Sequence, residues 1–140
     1  MIHGVKTYRM SIGSNPKLVH RVEKFLLRVN RDAHLDEIQF NKLLVSTTEA
    51  VNNAIFHGNK SDARKRVHLA CVLSHERVIL TVRDSGRGFE PEKIKNPLND
   101  SNLLRDSGRG IFLMKTLMDK VEFHFSKEGT DVRMTLLLVK

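Results

Sequence analysis

Two apolar, β-branched runs, residues 67–73 and 78–82, are separated only by Ser74-His75-Glu76-Arg77. A crossover helix needs a dozen or more residues, so a link this short forces the two strands into an antiparallel hairpin. Residues 121–126 and 130–139 repeat the arrangement around Glu128-Gly129. Residues 5–12 alternate loosely and read as a further strand. Ser14-Asn15-Pro16 places a capping side chain before a proline, which predicts a helix over 16–30 with Leu18, Val22, Phe25, Leu26 and Val29 on one face. Asp36 caps a second helix, whose apolar face is Phe40, Leu44, Val51 and Ile55 and which Gly58 ends. A loop rich in Gly, Pro, Asn and Asp is expected over 84–106, then a helix over 111–118 with Ile111, Met114, Leu117 and Met118 on one side. The order is β-α-α-β-β-α-β-β, which implies a mostly antiparallel sheet with helices gathered on one face.

At 140 residues the chain fits one domain, expected to span 1–140, with 40% hydrophobic residues to build its core. No stretch reaches the ~18 apolar residues of a membrane helix. The N-terminus has no apolar run of the kind a signal peptide carries, and the single Cys71 excludes an internal disulfide framework, so a cytoplasmic setting is expected. Cys71, amid apolar strand residues, reads as a buried, inert thiol. The net charge is +8, yet the densest basic run, residues 60–66, has no interleaved aromatics and the chain no Trp. That composition reads as solvated surface rather than a base-stacking platform.

Three constellations carry chemistry. Asp84-Ser85-Gly86-Arg87-Gly88 leaves a strand, and Asp106-Ser107-Gly108-Arg109-Gly110 repeats it where a helix is expected to begin. Neither copy matches a dinucleotide or P-loop fingerprint. At Gly108-Arg109-Gly110 the free N–H groups of a helix start would suit an anion. An ionised Asp84 accepts hydrogen bonds and donates none, so it suits the amino group of adenine and repels the carbonyl edge of guanine. Its neighbouring glycines would let backbone approach a flat base. On the second helix, Glu49, Asn53 and His57 are four apart and share a face, with Asn52 at its edge. That face joins a proton acceptor to a hard oxygen ligand for Mg²⁺. Read one at a time, these motifs are also a glycine turn, an Asp-Ser-Gly turn and a wet helix face.

Together they resemble a known set. Glu49-Ala50-Val51-Asn52-Asn53-Ala54, followed by His57-Gly58-Asn59, is similar to the N box of the GHKL (Bergerat-fold) ATPases. Asp84-Ser85-Gly86-Arg87-Gly88-Phe89 resembles their G1 box, Gly108-Arg109-Gly110-Ile111 their G2 box, and Gly129-Thr130 their closing Gly-Thr. The short chain and the helix ending in Leu117-Met118-Asp119 are most similar to the anti-sigma-factor serine/threonine kinases of the RsbW and SpoIIAB type.

The resemblance implies an α/β (α+β) two-layer sandwich, with a mixed, mainly antiparallel sheet covered on one face by three helices and ATP beneath a lid at about residues 97–106. Glu49 would be the general base and Asn53 the Mg²⁺ ligand, with Asn52 beside it. Asp84 would read adenine, with Gly86, Gly88 and Thr130 near the base. Gly108, Gly110 and Ile111 would wrap the phosphates, and Arg105 or Arg109 would add positive charge. Arg109 departs from the smaller residue expected between the G2 glycines and reads equally as a solvated side chain. Asp106 brings negative charge near the phosphates.

The implied activity is ATP-dependent phosphorylation of a STAS-type anti-sigma-factor antagonist, with sequestration of a sigma factor and dimerisation as further family expectations. Neither nucleic acid nor membrane is an expected partner. The alternatives are a non-catalytic ATP-binding module of the same fold and, on charge alone, a nucleic-acid binder.

Overall fold

The computed structural model describes residues 4–85 and 101–138. Strand β1 is Lys6–Gly13, and a one-turn 3₁₀ helix at Pro16–Leu18 follows, capped by the Asn15 side chain, which accepts from the Lys17 N–H at 2.9 Å. Helix α1 runs His20–Ala33 and ends where His34 turns left-handed at φ 52°. Helix α2, Glu37–Asn53, starts on Asp36, whose carboxylate accepts from the Gln39 N–H at 2.7 Å. It widens into a π turn at Ala54–Gly58 before the chain enters β2. Strands β2 (Arg66–Leu73) and β3 (Arg77–Asp84) form the first hairpin. Helix α3 is Ser101–Leu117, and β4 (Lys120–Ser126) and β5 (Gly129–Leu137) form the second hairpin.

The five strands stand in the order β1-β2-β3-β5-β4, and every described pair is antiparallel. β5 enters beside β3, so the second hairpin extends the sheet of the first. Alternate residues of each strand face the helices. Val67, Leu69, Cys71 and Leu73 of β2, with Val78, Leu80 and Val82 of β3, are buried there. Against them lie Val22, Phe25, Leu26 and Val29 of α1, at the spacing that gives a helix one apolar face. Each such side chain contributes about 1.5–3 kcal/mol by leaving water. The Cys71 thiol belongs to this core, and burial pushes it up to about 12. α1 is tied to the sheet edge by Asp32, whose carboxylate accepts from the Tyr8 hydroxyl and from Lys6 Nζ, the latter at 2.7 Å. Helix α2 lies between α1 and α3 and packs on both.

Three boundaries differ from the sequence reading. The helix expected over 16–30 is a 3₁₀ turn at Pro16–Leu18 followed by α1 at His20–Ala33. The regular part of α2 ends at Asn53 rather than Gly58, and the π turn carries the helical path on to Gly58. Helix α3 begins at Ser101, not at 111, so residues 101–106 of the expected lid are helical and the rest of it lies outside the described residues. Gly108 and Gly110 therefore sit inside a helix, not at its start. The packing of α3 on α2 outweighs the poor helix propensity of these two glycines.

Candidate functional site

The end of β3 brings Asp84 to the seam between the sheet and α2. Its carboxylate is 4% exposed, and its Oδ1 accepts from the Thr130 N–H at 3.1 Å. Two glycines make room for it. A Cβ on Gly58, at the end of the π turn, would overlap the carboxylate, and one on Gly129 would overlap the Asp84 carbonyl. Gly129 also holds φ 147°, a conformation other residues rarely adopt. So the π turn, the start of β5 and the end of β3 close around one carboxylate.

Asn53, Asp84, Ile111 and Thr130 line one cavity, with Phe123 and Phe125 supplying apolar wall. Its volume is about 40 Å³, room for a few waters and not for a purine ring. The Thr130 hydroxyl is buried there without a hydrogen-bond partner. An unpartnered buried hydroxyl costs about 1–3 kcal/mol, so this one is suited to a ligand that restores the bond. The acceptor carboxylate and the orphan hydroxyl offer hydrogen bonds to a polar ligand edge, and the phenylalanines offer an apolar wall beside them.

Glu49 lies one turn back along α2, half-buried, against α3. A Cβ on Gly110 would stand 2.6 Å from Glu49 Oε2, so the glycine lets the Glu49 carboxylate lie against α3. Asn52 is half-buried on α2 and is not part of the cavity wall. Arg109 is exposed. Gly108 lies in the body of α3, so the free N–H groups expected at a helix start are not at 108–110 but at the helix's actual beginning, Ser101. Gly86 and Gly88 lie outside the described residues, as does the side chain of Arg105. No cluster of three metal-ligating side chains occurs among the described residues. The Asn53 amide oxygen fits a Mg²⁺ that arrives on phosphates, because this ion takes few protein ligands and keeps phosphate and water in its shell.

Two roles escaped the sequence reading. Gly58 looked like a helix stop and is the wall behind Asp84. Asn59, quoted only as the end of a motif, is fully buried and hydrogen-bonded to three segments. The available signal was an amide side chain directly after the glycine expected to end the helix.

The histidine kinase-like ATPase domain family matches the chain over residues 12–136. The anti-sigma F factor of Oceanobacillus iheyensis is 37% identical over 112 residues, 78% of this chain and 75% of that protein. The anti-sigma F factor of Bacillus subtilis is 37% identical over 112 residues, with the same shares. Among solved structures, the RsbU and RsbW domains of a Mycobacterium tuberculosis protein match with a TM-score of 0.69 at 17% identity, over 94% of this chain and 32% of that one. The histidine kinase domain of a blue-light activated histidine kinase from Erythrobacter litoralis matches with a TM-score of 0.58 at 21% identity, over 86% and 61%. At those identities the structural likeness speaks to the fold.

Proposed function

From the premise that this chain belongs to the histidine kinase-like ATPase family, in its anti-sigma-factor branch, we propose that it is an ATP-dependent protein serine/threonine kinase. Its phosphoacceptor is a STAS-type anti-sigma-factor antagonist, and it also sequesters a sigma factor, as a homodimer in the cytoplasm. No helix among the described residues is long and apolar enough to cross a membrane.

The observation that carries the reading is the caged carboxylate, with the Asp84 carboxylate and the unpartnered Thr130 hydroxyl at one small cavity. Asp84 accepts from the adenine amino group, and Thr130 completes the polar edge. Gly86 and Gly88 lie along the base. Asn53, flanked by Asn52, would hold a Mg²⁺ bound with the triphosphate, which would supply charge neutralisation. Glu49 takes the proton of the acceptor hydroxyl as that oxygen bonds to the terminal phosphorus and the bond to the ADP oxygen breaks. Positioning and electrostatics carry most of such a transfer.

The cavity of about 40 Å³ is smaller than the base, and in this reading α3 draws back to admit it. In this proposal the turns of α3 before Ile111 unwind, and the N–H groups of Gly108, Gly110 and Ile111 turn to the phosphates with Arg105 and Arg109 nearby. Two glycines in this stretch lower the cost of that change by about 2 kcal/mol relative to alanines.

The test is Mg²⁺-dependent ATP binding against GTP, followed by transfer of labelled phosphate to the antagonist. Asp84→Asn should remove the preference for ATP, because an amide can also donate to a guanine carbonyl. Glu49→Ala should keep ATP binding and lose transfer by at least about 100-fold, the usual contribution of a positioned base. Parental transfer by Glu49→Ala overturns its role. The non-catalytic ATP-binding module is supported by one observation, the seating of Gly110 against Glu49, and an unlabelled antagonist would favour it.

A further inference from the structure

Asn59 has no exposure to solvent. A buried side-chain amide is tolerated only when its donors and acceptor are met. Here Nδ2 donates to Ser14 Oγ at 2.6 Å and to the Arg66 carbonyl at 3.0 Å, while Oδ1 accepts from the Ser85 N–H at 2.8 Å. The partners settle the amide's orientation, since a flipped amide would set oxygen against the Arg66 carbonyl and NH₂ against the Ser85 N–H. Ser14 Oγ donates in turn to the Lys65 carbonyl at 2.9 Å, and Ser85 Oγ donates to the Arg66 carbonyl at 3.0 Å. One side chain thus joins the exit of β1, the exit of the π turn, the entry of β2 and the exit of β3.

The bond to Ser85 has the most consequence. Ladder pairing of β3 with β5 stops at Arg83, and pairing with β2 stops at Asp84. Asn59 grips the very next N–H. It also follows Gly58, the wall behind the Asp84 carboxylate. Asn59 therefore fixes the strand end and the wall relative to each other.

We propose that Asn59 is a positioning residue for purine selection, acting through the Ser85 N–H to hold the Asp84 carboxylate where an amino group is accepted. The inference rests on Asp84 reading adenine. A bridge that served stability alone would affect both purine nucleotides equally.

The test compares four variants of the full chain by melting temperature and by ATP and GTP dissociation constants with Mg²⁺. Asn59→Ala should weaken ATP binding about tenfold, the cost of one lost buried hydrogen bond, and weaken GTP binding less, so that the ATP:GTP preference falls. Asn59→Asp retains an oxygen for the Ser85 N–H and should keep the preference while losing stability. Ser14→Ala cuts the same network away from Ser85 and should lower the melting temperature with the preference unchanged. Asp84→Asn separates the two readings. If it removes the preference and Asn59→Ala does not, the positioning role is overturned and adenine reading stands. If Asp84→Asn leaves the preference at the parental value, adenine reading fails and this inference with it. Should Asn59→Ala not fold, hydrogen exchange on the parental chain decides. A protected Ser85 amide supports the anchor, and one exchanging at the unprotected rate overturns it.

Discussion

Exchanging Gly58 for alanine probes the cage around Asp84 directly. In a helical turn the change alone gains about 1 kcal/mol, because alanine surrenders less backbone freedom on folding. Here the new methyl would overlap the Asp84 carboxylate and stand 2.8 Å from the Asp84 Cβ. The carboxylate cannot swing clear, being 4% exposed and closed in by Gly129 and the Thr130 N–H. Overpacking of this kind costs about 1–3 kcal/mol. The net expectation is a loss of up to about 2 kcal/mol, or about 3 °C of melting temperature per kcal/mol for a domain of this size. Asp84→Gly removes the three atoms nearest the new methyl. In that background Gly58→Ala should gain about 1 kcal/mol, and the difference between backgrounds, about 1–3 kcal/mol, is the coupling energy. Urea denaturation of the four proteins of the cycle, followed by circular dichroism, reads it. Equal costs of Gly58→Ala in both backgrounds would refute the cage.

Gly110→Ala should behave in the opposite way. Its methyl would crowd chiefly the Glu49 carboxylate, the far end of a flexible side chain that can turn aside, so α3 should gain up to about 1 kcal/mol, and ATP binding should weaken about fivefold if the helix must unwind, as melting and titration would show. Asp32→Asn tests the tie between α1 and the sheet. Hydrogen bonds from Lys6 and Tyr8 hold the Asp32 carboxyl below its ordinary range. The ionised form is therefore favoured by folding, and its stabilisation is complete above the ordinary carboxylate value of about 4 and fades as the pH falls through the lower folded value. Melting temperatures of parent and variant should differ at pH 7 and converge as the pH falls below the ordinary carboxylate value; a constant gap would refute the assignment.

The fold was legible because its signals were local. Four residues between two β-branched runs leave no option but a hairpin, and the structure pairs Leu73 with Val78 across that turn. Asp36 announced the start of α2, and its carboxylate caps Gln39. Asn15 announced a helix but caps a 3₁₀ turn, with α1 starting only at His20. What sequence could not give was strand order. That β5 lies between β3 and β4 follows from burying Val132, Met134 and Leu136 against the helices, a demand of the assembled core rather than of any segment.

The site was legible in its residue types and opaque in its use of glycine. Local reasoning treats glycine as a break in a helix, and by that logic Gly58 ended α2 and Gly108-Arg109-Gly110 preceded α3. In the folded chain the missing side chains serve contact instead. Gly58 admits a carboxylate and Gly110 admits Glu49. Neither use is visible until distant segments meet. The two roles are not in conflict at α3. A helix carrying two glycines is about 2 kcal/mol weaker than one carrying alanines. A ligand at 100 times its dissociation constant supplies about 2.7 kcal/mol. In the proposed opening of α3, a bound nucleotide would decide between a helix closed on Glu49 and a loop open to phosphate, and glycine is the residue that both states tolerate.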